Sequence, residues 1–141
     1  MKFSDFTVAD WKENGRFFDT CLLPYTGLTG SEHPAEAAEV LERLRDFMDL
    51  IEKPYQGRIV TYPAIQYQTA ESTAYVNDIC RKVKSKQFQF AVVVTGEVRV
   101  SAELIHESDL VLSLPELEGL SKSELSVHIK QKIERMWQSD K

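Results

Sequence analysis

The chain has 141 residues, 43% of them hydrophobic and 28% charged, which suits one folded domain (1–141) with one core and excludes a disordered or low-complexity polymer. With a net charge of −5 and no broad basic stripe interleaved with aromatics, nucleic acid is excluded as a partner, and no apolar run approaches the ~20 residues that cross a bilayer. The opening MKFSDFTVADW carries acids and polar residues where an export signal is apolar, so a cytoplasmic location is expected.

In chain order, Thr7 with Asp10 three residues later predicts a capped helix over VADWKEN, with Gly15 as a left-handed stop. RFFDTCLLP follows as a first strand, expected to close at Pro24, which has no N–H for a ladder. Pro34 suits a first helical position, and Ala37, Val40, Leu41, Leu44, Phe47, Met48 and Ile51 recur at three- and four-residue steps until Pro54. This predicts an amphipathic helix.

GRIVTYPAIQY is a second strand, expected to end near Pro63, and Thr69 or Ser72 is expected to cap a helix that turns Tyr75, Val76, Ile79, Cys80 and Val83 inward. The cluster Arg81, Lys82, Lys84 and Lys86 falls in its last turn, where cations complement the negative end of the helix dipole. Cys21 and Cys80 belong to no C-x-x-C pair and read as buried thiols. FQFAVVV is too uniformly apolar to face water on one side, so it is predicted as a central parallel strand. VRVSAELIHES fits both periods, and a short helix from about Ser101 is expected. DLVLSLP is a fourth strand, and Ser121 with Glu124 opens a last helix whose inward stripe is Leu125, Ile129, Ile133, Met136 and Trp137.

Strands alternating with helices predict an α/β fold, a small three-layer sandwich on a mainly parallel sheet of about four strands, flavodoxin-like or Rossmann-like. Such sheets bind ligands beyond the carboxyl ends of the strands, where strand order reverses. If the first and third strands are neighbours, the candidate ligand residues are Thr26, Thr29, Ser31, Glu32 and His33 from one loop and Thr95, Glu97 and Arg99 from the other. Glu97 and Arg99 also read as a simple surface pair.

The first loop lacks both G-x-G-x-x-G and G-K-[ST]. Glu32, Glu36 and Glu39 at the start of the following helix would repel a phosphate, so the loop is expected to be a turn and not an anion cradle. A metal held by Glu32, His33 and Glu36 has little support, because His33, His106 and His128 lack metal-ligand spacing. No G-x-S-x-G elbow is present. No catalytic residue, metal or cofactor is assigned. Trp11, Phe17 and Phe18 near the start, with Met136 and Trp137 at the end, are expected to cover one sheet edge or to anchor a partner through Trp11 and Trp137.

Trp11, then FFDT at 17–20 and LLP at 22–24, resembles the YpiF-like proteins of spore-forming Gram-positive bacteria, in which a tryptophan-bearing opening leads to an aromatic-x-Asp-Thr strand ending at proline. The resemblance implies a cytosolic bacterial protein from a family without assigned function, and carries no catalytic residue onto this chain. The leading expectation is a non-catalytic interaction or regulatory module that binds a protein or itself. The alternative is a small-ligand protein or enzyme using the crevice.

Overall fold

The computed structural model describes residues 1–139. Helix α1 spans Val8–Asn14 and opens as expected: the Thr7 hydroxyl accepts from the Asp10 amide at 3.1 Å, and the Asp10 carboxylate accepts from the Thr7 amide. Gly15 ends it with φ −55°, a right-handed residue in place of the left-handed stop. The reason for glycine is bulk, because a Cβ there would lie 3.0 Å from the Trp11 indole.

Strand β1, Thr20–Leu28, is buried throughout. It pairs with β4, Phe90–Thr95, from Thr20 opposite Phe90 to Tyr25 opposite Thr95. Its other side carries β2, Ile59–Thr61, and then β3, Ile65–Tyr67. Strand β5, Leu110–Ser113, adds to β4, giving the order β2-β1-β4-β5 with β3 also on β1. All these pairings are parallel.

The first strand therefore runs past Pro24, where it was expected to stop. The Thr20 amide and the Leu22 carbonyl bond to Arg58 and Tyr62 on the β2 side, and strand alternation turns Pro24 the same way. At that level the neighbouring strand is itself interrupted, between Thr61 and Ile65. The missing N–H thus faces a gap, and the second strand is split in two at Pro63.

Helices α2 (Pro34–Glu52) and α4 (Lys122–Gln138) cover one face of the sheet, packing Leu44, Phe47, Ile129 and Ile133 on Leu22 and Val92. On the other face α3 (Ser72–Lys84) and Trp11 of α1 join Cys21, Leu23, Val93 and Ile105. The sheet so divides the interior into two apolar layers where one core was expected, because alternate residues of β1 and β4 point to opposite faces. This is the expected α/β arrangement, with helices on both sides of a mostly parallel sheet.

The predicted stripes hold with two exceptions, Leu41 at 42% and Tyr75 at 56% exposure. The residue preceding α3 is Glu71, without a side-chain cap. Thr69 and Ser72 instead shape the turn before the helix, their hydroxyls accepting from the Glu71 and Thr69 amides. The basic cluster gains acidic partners, Lys82 with Asp78 at 2.9 Å and Lys84 with Asp109 at 3.2 Å. Both cysteines are buried. Burial first, and then the neighbouring Cys80, pushes the Cys21 thiol far up, while burial raises Cys80 to about 11.

The short helix expected from Ser101 is absent, and a run of turns crosses from β4 to β5 on the α3 side. Asn77 of α3 donates to the Leu104 carbonyl at 2.9 Å and accepts from the Glu107 amide at 3.0 Å, taking backbone groups that a helix would need for itself. No helix among the described residues is long and apolar enough to cross a membrane.

Candidate functional site

From β1 the chain moves outward to β2 on one side, and β4 lies on the other, so strand order reverses between β1 and β4. The predicted loops do leave from this point, but two of the candidate side chains are turned inward, while Thr29, Ser31, His33, Glu97 and Arg99 are exposed. Thr26 and Thr95 are buried. The Thr26 hydroxyl donates to the Gln66 carbonyl and accepts from the Leu28 amide. Thr95 Oγ1 donates to the Val98 carbonyl at 2.6 Å, and Ser113 Oγ donates to the same oxygen at 3.0 Å. Gly27, at φ +74°, leaves room for the Val98 side chain, whose Cγ1 would stand 2.8 Å from a Cβ at position 27. Val98 and Ser113 were not anticipated. The available signal was the hydroxyl at the end of DLVLS beside the strand ending in Thr95.

In the loop after β1, the Glu32 carboxylate accepts from the Thr29 and Gly30 amides, both at 2.9 Å, and from the Thr29 hydroxyl at 3.0 Å. The Thr29 amide foremost holds this carboxyl below its usual range. The loop's amides are taken by its own carboxylate, which adds to the repulsion from the helix start as a reason to expect no phosphate. Ser31 bonds only to Thr29 among the described residues. His33 caps α2, with Nδ1 accepting from the Glu36 amide at 3.3 Å while Glu36 bonds back. Among the described residues no three His, Cys, Asp or Glu side chains are grouped to hold a metal.

Because its folded-state pKa is depressed, Glu32 contributes stability that is complete above the ordinary carboxylate pKa and fades as pH falls through the depressed value. Glu32→Gln is expected to lower the thermal midpoint near neutral pH and to leave it unchanged in strong acid. Equal losses at both pH values would remove charge from the account.

Glu97 does not pair with Arg99. It forms an ion pair with Arg43 of α2. Arg99 is exposed and lines a recess of about 200 Å³ with Tyr25, Ser72, Val76 and Ser101. Asp19 and Asp109, at the strand entrances, are engaged with Arg58 and with the Ala91 amide.

A larger concavity lies on the opposite layer, a groove of about 1030 Å³ between α2 and α4. Phe47, Leu50, Leu114, Leu125 and Ile129 give it an apolar floor. Arg43, Asp46 and Asp49 stand on the α2 wall with Lys53 just past its end, and Lys122, Lys130 and Glu134 on the α4 wall. Tyr55 closes one end, its hydroxyl raised in pKa by burial first and then by Glu134. Behind it Trp137 meets the Tyr55 ring edge-on at 4.9 Å, carries the Arg58 guanidinium 3.8 Å over its face, and donates from Nε1 to Thr20 Oγ1 at 2.8 Å.

The two tryptophans do not share a sheet edge. Trp11 lies in the other layer, stacked on Phe18 and edge-on to Phe6, with its N–H on Gln87. Phe17 is 54% exposed beneath the Arg16 guanidinium.

The profile of a family described as "Protein of unknown function (DUF2487)" matches residues 9–139. No curated protein and no solved structure matches the chain.

Proposed function

The chain belongs to the DUF2487 family of unknown function, and from that premise we propose that it is a protein-interaction or regulatory module whose partner sits in the groove between α2 and α4. One observation carries this reading. The crevice where doubly wound sheets bind ligands is occupied by Glu32, Val98 and internally bonded hydroxyls, while the groove remains open with an apolar floor and a charged rim. Its volume, about 1030 Å³, is at the top of the ~300–1,000 Å³ of small-molecule pockets, and its shape between two helices suits a helical segment.

Trp137 enters this proposal as the residue that backs Tyr55 at the groove's end, and Trp11 as an anchor for a partner on the opposite layer. The flavodoxin-like name, supported by the strand order, belongs to the same proposal, as do the YpiF-like kinship and a cytoplasmic bacterial setting. A small-ligand role at the Arg99 recess ranks second, because about 200 Å³ is less than the ~300 Å³ at which such sites usually begin.

A photoreactive residue at Leu125, compared with one at exposed Glu103, tests the reading inside cells that express the chain. Adducts are expected from position 125 alone and should vanish when Leu50→Arg is added. No adduct from position 125, or equal yields from both positions, overturns the groove as the docking face.

A further inference from the structure

We infer that the occupant of the groove is a second copy of this chain, an inference that rests on the groove being a docking face. The reason is the distribution of charge along its walls. Helix α2 begins where β1 ends, with Leu44 packed against Gly96 just beyond β4, and it leads to Tyr55, which meets Trp137 near the end of α4. Trp137 in turn reaches Thr20 at the start of β1. Both helices therefore run from the carboxyl ends of the strands toward their amino ends, and so parallel to each other.

Reading along that direction, the α2 wall presents Arg43, Asp46, Asp49 and then Lys53, while the α4 wall presents Lys122, Lys130 and then Glu134. Counting back from Tyr55 beside Trp137, Asp49 and Lys53 stand level with Lys130 and Glu134, opposite in sign at both levels, and Arg43 is already paired with Glu97. Asp49, Lys53, Lys122 and Lys130 form no ion pair among the described residues, and Asp46 has only an exposed pair with the adjacent Arg45 at 3.3 Å. A groove rimmed by lysines alone would select an acidic partner. One with oppositely charged walls at matched levels selects its own rotated copy.

A two-fold axis along the groove lays the α2 wall of one copy on the α4 wall of the other and keeps helix direction and level. Asp49 then faces Lys130 of the other copy and Lys53 faces Glu134, each contact occurring twice by symmetry. The half-buried Leu50, Leu114 and Leu125 are covered at the centre, with the charges outside them, as in other protein interfaces. Opposite charges at these positions also penalise any docking that brings like walls together.

Sedimentation velocity on the purified chain tests this with Asp49→Lys, Lys130→Asp and the double variant. All alter exposed or rim positions and leave both apolar layers intact. The wild-type chain is expected to dimerise, each single reversal to weaken the dimer about tenfold or more, and the double variant to regain it. A wild-type monomer at concentrations where the Leu125 photoadduct forms, or a double variant no better than the singles, overturns the inference. The mass of the photoadduct separates the two claims. Twice the chain mass supports the second copy; a different mass overturns it and leaves the groove reading standing; no adduct overturns both.

Discussion

Trp137→Ala is expected to lower the free energy of unfolding by about 3 kcal/mol, at the lower end of large-to-small aromatic losses because the ring is half-buried. The indole fills the corner between the end of α4 and the amino ends of the strands, with Arg58 on its face and Tyr55 at its edge. Its removal leaves Arg58 held by Asp19, through two contacts of 3.0 Å, so the ion pair survives without its aromatic platform. Trp137→Phe separates the contributions: it keeps a ring but loses the N–H to Thr20, and should retain all but roughly 1–2 kcal/mol. Urea unfolding with unchanged m-values gives both numbers. A loss below about 1 kcal/mol for the alanine variant, the scale of an average substitution, would mean that this corner is not a structural joint.

The second large effect is expected at Gly27→Ala, about 2–3 kcal/mol by urea unfolding. Its φ of +74° lies in the left-handed region, where a residue with a Cβ is strained by about 1–2 kcal/mol. The added Cβ would also lie 2.8 Å from Val98 Cγ1. These two costs are separable. In a Val98→Ala background the steric part should disappear and the backbone part remain, so the Gly27→Ala cost should fall to about 1–2 kcal/mol. An undiminished cost in that background would show that Val98 does not seal the crevice. If the crevice is closed by Val98, the Val98→Ala chain is also where a latent small-molecule site would first be detected.

The parts of the fold written in adjacent residues were legible, and those that depend on a distant neighbour were not. The capping boxes at Thr7 and Ser121, the stripe of α4 and the uniformly apolar β4 each depend on residues within one element. Pro24 misled because the effect of a proline in a strand is decided across the ladder, here by a break near Pro63. The turns after Ser101 misled because Asn77, on another helix, claims their backbone groups. The loops after β1 and β4 leave neighbouring strands at one end of the sheet, yet only the folded chain shows that Thr26, Thr95 and Glu32 are committed to bonds of their own. The groove escaped notice altogether, since its walls come from helices at opposite ends of the sequence and neither stripe alone reveals a space between them.

The split on the outer side of β1 has a consequence for how this molecule behaves when crowded. A long free strand at a sheet margin is a template for adding strands from other chains and so a route to aggregation. Here the margin is cut into two three-residue pieces by the segment around Pro63, and the Met1 carbonyl accepts the Thr61 amide at 2.7 Å beside the Lys2 bridge. The opposite margin, β5, is only four residues long. Neither side offers a continuous ladder to a neighbour, so side-by-side growth of the sheet is disfavoured, and ordered assembly is left to the helical faces.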